Sequence, residues 1–98
     1  GNAGIKVLDS DRCTFTGNTF FGNDTDGTHG ANMYVDASNS NIISNNTFSD
    51  NGVGRKALII AEDTATSSDN LVAGNHWGDT SGYTDGGTDT TSDNNITD

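Results

Sequence analysis

Three stretches of the chain read in register: Phe15-Thr16-Gly17-Asn18-Thr19-Phe20, Ile43-Ser44-Asn45-Asn46-Thr47-Phe48 and Val72-Ala73-Gly74-Asn75-His76-Trp77. The shared asparagine falls at 18, 46 and 75, giving spacings of 28 and 29 residues. Two positions after it comes an aromatic residue (Phe20, Phe48, Trp77), and three before it an apolar one (Phe15, Ile43, Val72). Further upstream each unit has an apolar or alternating stretch: Ile5-Lys6-Val7-Leu8, Met33-Tyr34-Val35 and Leu58-Ile59-Ile60. Val7 to Phe15 and Val35 to Ile43 are both 8 residues, whereas Ile60 to Val72 is 12, so the third unit carries a four-residue insertion around Thr64 to Ser68.

Each unit reads as three short strands separated by a turn and by a bend at the asparagine, with the third strand starting at the aromatic. No stretch holds a 3.6-residue period long enough for a helix. A unit this small cannot bury its own apolar face, so equivalent residues must stack in a solenoid at the strand spacing of about 4.8 Å. The expected columns are an inward aromatic ladder of Phe20, Phe48 and Trp77, an apolar ladder of Phe15, Ile43 and Val72, and an asparagine ladder of Asn18, Asn46 and Asn75. In that ladder the amide would both tolerate the left-handed bend and hydrogen-bond along the stack. Thr19, Thr47 and His76 should face outward. The coils are expected at about residues 4–30, 31–56 and 57–89. A partial coil would occupy 90–98, because Thr91-Ser92-Asp93-Asn94-Asn95-Ile96-Thr97 is similar to Ser67-Ser68-Asp69-Asn70-Leu71-Val72-Ala73. On that alignment the chain stops just before its next ladder asparagine, as a piece of a longer rod would.

The composition fits this architecture. The 98 residues hold 14 Asp+Glu against 4 Lys+Arg, a net charge of −10, with 30% hydrophobic residues, 13 Gly, no Pro and one Cys. A charge of that sign repels phosphate backbones and anionic headgroups, which argues against a nucleic-acid partner. No apolar run approaches the roughly 20 residues of a membrane span, so membrane insertion is not expected either. Cys13 cannot form an internal disulfide and reads as a small buried hydrophobe. The acidity has two readings: solenoid turns favour Asp and Asn, and a saline, halophilic setting favours Asp while depleting Lys. Thirteen Asp to one Glu supports the turns; the scarcity of Lys supports salt.

The three repeats resemble the parallel β-helix repeat of the right-handed, pectate-lyase-like superfamily, over roughly residues 4–80. The resemblance implies an all-β, right-handed parallel β-helix of about three to three and a half coils. It also implies a rigid extracellular, cell-surface or virion rod of the kind found in polysaccharide lyases, hydrolases and epimerases, viral tailspikes and fibres, and adhesins. Such a likeness specifies fold far better than function.

Catalytic candidates are sparse. A lyase needs a basic residue as base and a cation on the substrate carboxylate, and only Lys6, Arg12, Arg55 and Lys56 are available. Lys6 should share the outward face of its strand with Tyr34, while Arg55 and Lys56 fall in the connecting loop before Leu58. A hydrolase needs paired carboxylates; Asp24 and Asp26 flank a bend near His29. Gly27-Thr28-His29-Gly30 resembles the Gly-His-Gly of polygalacturonases, but the paired-Asp and Arg-x-Lys motifs that accompany it are missing. No cofactor is required. Asp24, Asp26, Asp79, Asp85 and Asp89 nevertheless offer the oxygen ligands Ca²⁺ prefers. Tyr34 and Tyr83 are the candidates for glycan contact, Tyr83 standing alone in a polar loop.

The segment therefore reads as a non-catalytic rod in contact with polysaccharide or surface glycans, or with neighbouring copies in a homo-oligomer or larger assembly. The alternatives are a fragment of a polysaccharide lyase, hydrolase or epimerase, and a filament or lattice subunit.

Overall fold

A computed structural model describes residues 3–23, 31–49, 56–78, 80 and 82–96. Ten strands occur among these residues: β1 (Ile5–Leu8), β2 (Thr14–Thr16), β3 (Thr19–Phe21), β4 (Ala31–Asp36), β5 (Ile42–Ser44), β6 (Thr47–Ser49), β7 (Lys56–Ala61), β8 (Leu71–Ala73), β9 (Tyr83–Asp85) and β10 (Thr91–Asp93). They assemble into three parallel sheets, ordered β1-β4-β7-β9, β10-β8-β5-β2 and β3-β6; the first two take one strand from each of four coils, whereas the third takes strands from the first two coils and is continued by single bridges at His76 and Ile96. Every pairing joins strands a coil apart, for example Val7 on Val35 on Ile60 and Phe15 on Ile43 on Val72. The result is a parallel β-helix, the class expected from the repeat.

The core is a stack of side chains from alternate strand positions. Met33, Val35, Ile43, Phe48, Leu58, Ile60 and Val72 are fully buried. Phe20 and Phe48 lie face to face, with centroids 4.8 Å apart and rings 7° from parallel, which is the strand spacing imposed on two aromatic rings. Trp77 continues the column, 5.5 Å from Phe48 and tilted by 47°. Phe15, on the outermost strand of its sheet, is only half-buried. Thr19 and Thr47 face solvent, and His76 is half-buried beside them.

Two of the corners repeat a left-handed residue in every coil, followed by an asparagine throughout the first and by Cys13, Asn41, Asn70 and Thr90 in turn at the second. The left-handed positions are Gly17, Asn45, Gly74 and Asn94 at one corner (φ 70°, 56°, 66° and 51°), and Arg12, Ser40, Asp69 and Asp89 at the other (φ 59°, 58°, 57° and 52°). This corrects the expectation that Asn18, Asn46 and Asn75 themselves take the left-handed conformation: the bend falls one residue earlier, and the ladder asparagine supplies hydrogen bonds instead. Along the ladder, Asn46 Oδ1 accepts the Asn18 backbone N–H at 3.0 Å, and, fully buried, Asn75 Oδ1 accepts that of Asn46 at 2.9 Å. Asn46 Nδ2 donates to the Phe15 carbonyl at 2.9 Å, and Asn75 Nδ2 to the Ile43 carbonyl at 2.9 Å. Corner groups that the sheets leave unpaired are thus satisfied by the next coil, as buried backbone requires.

A second ladder, not foreseen, stands at the other corner. Asn70 Oδ1 accepts the Asn41 N–H at 2.9 Å, and Asn41 Oδ1 accepts that of Cys13 at 2.8 Å. Cys13 therefore occupies the first-coil place of a ladder asparagine. It is half-buried rather than buried, with its thiol directed at the Asp11 carbonyl.

The fourth coil also departs from expectation. Tyr83 pairs with Leu58 in β9, so this coil begins at Tyr83 and not near residue 90. Ser92 pairs with Val72, which shifts the anticipated alignment by four residues and makes Asn95 the fourth ladder asparagine, its Oδ1 accepting the Asn75 N–H at 3.0 Å. The step from Asn75 to Asn95 is 20 residues against 29 in the coil before, because the four-residue insertion is not repeated and the connections are shorter.

Candidate functional site: an outward groove beside Tyr34

The insertion in the third unit builds the most distinctive local feature of the described residues. On the outward face of the first sheet, Lys6, Tyr34, Ile59 and Thr84 stand in register on successive strands. Beyond Ala61 the chain leaves the sheet and returns at Ser67, whose Oγ accepts the Ser38 N–H at 3.2 Å. The residues between form a loop held from both neighbouring coils. Asp36, only 4% exposed at the end of β4, accepts from the Thr64 N–H at 3.2 Å and the Thr64 hydroxyl at 2.7 Å. Asp63 accepts a hydrogen bond from the Tyr34 hydroxyl. Glu62 Oε2 accepts from the Ser67 N–H at 3.0 Å and the Thr88 hydroxyl at 2.8 Å.

Between loop and sheet lies an open groove of about 480 Å³, lined by Tyr34, Ile59, Thr84, Glu62, Asp63 and the backbone around Ile60, Ala61 and Gly86. Its floor joins an aromatic ring and an isoleucine, and its wall carries two carboxylates. The Tyr34 hydroxyl is pushed up to about 12 by its bond to Asp63, by burial and by the charges of Asp63 and Asp36. Burial alone would raise the Asp36 carboxyl, but hydrogen bonds from Thr64 and from the backbone of Asp63 and Ala37 outweigh it and hold the group below its usual range.

These shifts give a pH prediction. Because the folded Tyr34 value is raised from 10.0 to about 12, its contribution to stability is complete below pH 10 and is lost as pH rises toward 12. Because the Asp36 value is lowered from 3.8, its contribution is complete above that pH and is lost as the pH falls below it. Thermal midpoints measured across the alkaline range should therefore fall for the parent chain, and the fall should be smaller for Tyr34→Phe. Equal alkaline slopes for the two proteins would contradict the Tyr34–Asp63 contact.

The other candidates are dispersed. Lys6 is exposed beside Tyr34, and Arg12 sits at a left-handed corner of the first coil. Lys56 is the first residue of β7, paired with Ala31, and not a loop residue as expected. Tyr83 is likewise a strand residue, half-buried and packed 5.5 Å from Trp77. Burial raises its hydroxyl, which accepts from Ser92 at 3.1 Å. Asp85 Oδ1 accepts from the Gly87 N–H at 2.9 Å and the Thr90 hydroxyl at 3.0 Å, and Asp89 occupies a left-handed corner. Asp24, Asp26, His29, Arg55 and Asp79 lie outside the described residues. Among the described residues, no three His, Cys, Asp or Glu side chains gather as a metal site would require.

Ile59, Glu62, Asp63 and Thr84 were missed by sequence reading. The insertion itself was visible in the spacing, but the face of the sheet over which it folds was not.

Stacked coils of short parallel strands, cornered by asparagine ladders around a single stacked core, define a β-solenoid. The chain matches the family described as right handed beta helix region over residues 1–97, and it belongs to that family. No curated protein and no solved structure matches it.

Proposed function

We propose that this chain is a segment of an extracellular β-helical rod that contacts glycans through the groove beside Tyr34 without turning them over. The observation that carries the reading is the pairing, on one rigid sheet face, of the Tyr34 ring and Ile59 with the carboxylates of Glu62 and Asp63. Sugars present apolar ring faces and a fringe of hydroxyl donors. A surface offering an aromatic face beside acceptor-only oxygens complements both. The support is firmer because the floor is built on strands and the wall is fixed by bonds to Asp36, Tyr34 and Thr88, so little order has to be acquired on binding.

The test is titration of the chain with a panel of soluble oligosaccharides, followed by NMR shifts of the Tyr34, Ile59 and Thr84 amides. Binding is expected to move these signals, and Tyr34→Ala is expected to weaken it at least fivefold while the fold is retained. Titration without a shift at any of the three would overturn the reading. Shortened oligomers or new unsaturated ends in the same samples would replace it with the alternative, a fragment of a polysaccharide-degrading enzyme.

A further inference from the structure

We infer that the groove selects its glycan by charge, taking oligosaccharides with free amino groups ahead of neutral ones and refusing those that carry carboxylates. The inference rests on the glycan-contacting reading and adds to it the chemical class of sugar.

The sign of the local field comes from three carboxylates. Glu62 and Asp63 line the groove, and Asp36 lies beneath the loop that bears them. None of the described residues lining the groove is basic, and Arg55 lies outside the described residues. Lys56 begins β7, five residues back along the strand from Ala61, or about 16 Å at strand rise. Lys6 stands in register with Tyr34 on the side of β1, whereas the groove extends the other way, across Ile59 and Thr84. Arg12 is at a corner of the first coil.

Hydrogen-bond chemistry points the same way. An ionised carboxylate is acceptor-only, with about four lone-pair positions. Asp63 takes the Tyr34 hydroxyl, and Glu62 takes the Ser67 N–H and the Thr88 hydroxyl, so each keeps acceptor capacity. A ligand can fill it only with donors. An ammonium brings donors together with an opposite charge. A uronate brings a second acceptor-only group of like charge, which the groove can neither pair nor neutralise.

The experiment compares three probes on the same chain: fully deacetylated chitooligosaccharide, its fully N-acetylated counterpart, and oligogalacturonate of equal length. Each is titrated at low and at physiological ionic strength, between which the Debye length falls from about 30 Å to about 8 Å. At low salt the deacetylated oligomer is expected to bind about fivefold tighter than the acetylated one, the combined effect of two exposed charge contacts. That margin should shrink at higher salt, and the galacturonate should not bind. Glu62→Gln with Asp63→Asn keeps the acceptor oxygens that hold the loop and should erase the preference; Asp63→Asn alone, expected to halve it, serves if the double variant does not fold. Equal affinity for the two chitooligosaccharides, binding of the galacturonate, or a preference that survives the substitutions would overturn the inference while leaving the glycan reading intact. Failure of all three probes to bind would overturn both.

Discussion

Phe48→Ala is expected to destabilise the chain by about 3–5 kcal/mol, the usual cost of deleting a fully buried aromatic side chain. Phe48 is 0% exposed and is the middle ring of its column, stacked on Phe20 at 4.8 Å and meeting Trp77 at 5.5 Å. Neither neighbour can collapse into the space, because each is fixed at strand spacing by its own coil. At about 4–8 °C per kcal/mol for a domain of this size, the thermal midpoint should fall by more than about 12 °C. Since small domains are stable by only about 5–15 kcal/mol in total, much of the population could unfold at room temperature. Circular dichroism melting decides the matter; a fall of only a few degrees would mean that the column does not carry the core. Phe48→Leu keeps most of the buried volume and should cost much less.

Asn46→Ala should be nearly as damaging, for a different reason. The alanine leaves the Phe15 carbonyl and the Asn18 N–H without the partners that Asn46 supplies at 2.9 and 3.0 Å, and it takes the acceptor from the Asn18 amide as well. Both stranded groups are partly buried, so each costs toward the lower part of about 1–3 kcal/mol, and a total of about 2–4 kcal/mol is expected. Asn46→Asp should not rescue, since it sets an oxygen against the Phe15 carbonyl and buries a charge. Asn18→Ala should cost less than about 1 kcal/mol, because Asn18 is exposed at the end of the column and its side chain bonds only to Asn46 among the described contacts. Equal losses at positions 46 and 18, measured by denaturant unfolding, would contradict a ladder whose strength lies in its buried links.

The two predictions differ in how far the sequence leads to them. The Phe20–Phe48–Trp77 column was legible because its members recur two residues after an asparagine at nearly constant spacing. A parallel solenoid turns equal spacing directly into contact. The Asn41–Asn70 ladder obeys the same period and stands two residues before Ile43 and Val72, so its signal was present in the same alignment. The left-handed corners were harder to place. Gly17 and Gly74 mark the position at two coils, but Asn45 and Asn94 are themselves followed by asparagine, and spacing does not say which of the pair bends. The fourth coil was misplaced because Thr91–Thr97 resembles Ser67–Ala73, an offset of 24 residues, whereas the lost insertion and a shorter connection bring the true offset to 20.

What the sequence by itself determined is the solenoid: its stacked parallel strands, its inward columns and its asparagine ladder. These follow from periodicity, and neighbouring coils repeat one another's geometry. What only the tertiary structure decided is where the exceptions to the period lie in space. The insertion after Ala61 breaks the repeat, so no other coil offers a template for it. Its course is set by the carboxylate of Asp36 capturing Thr64 and by the Tyr34 hydroxyl meeting Asp63. Those partners are 28 and 29 residues apart and belong to different coils, and stacking is what brings them within hydrogen-bond reach.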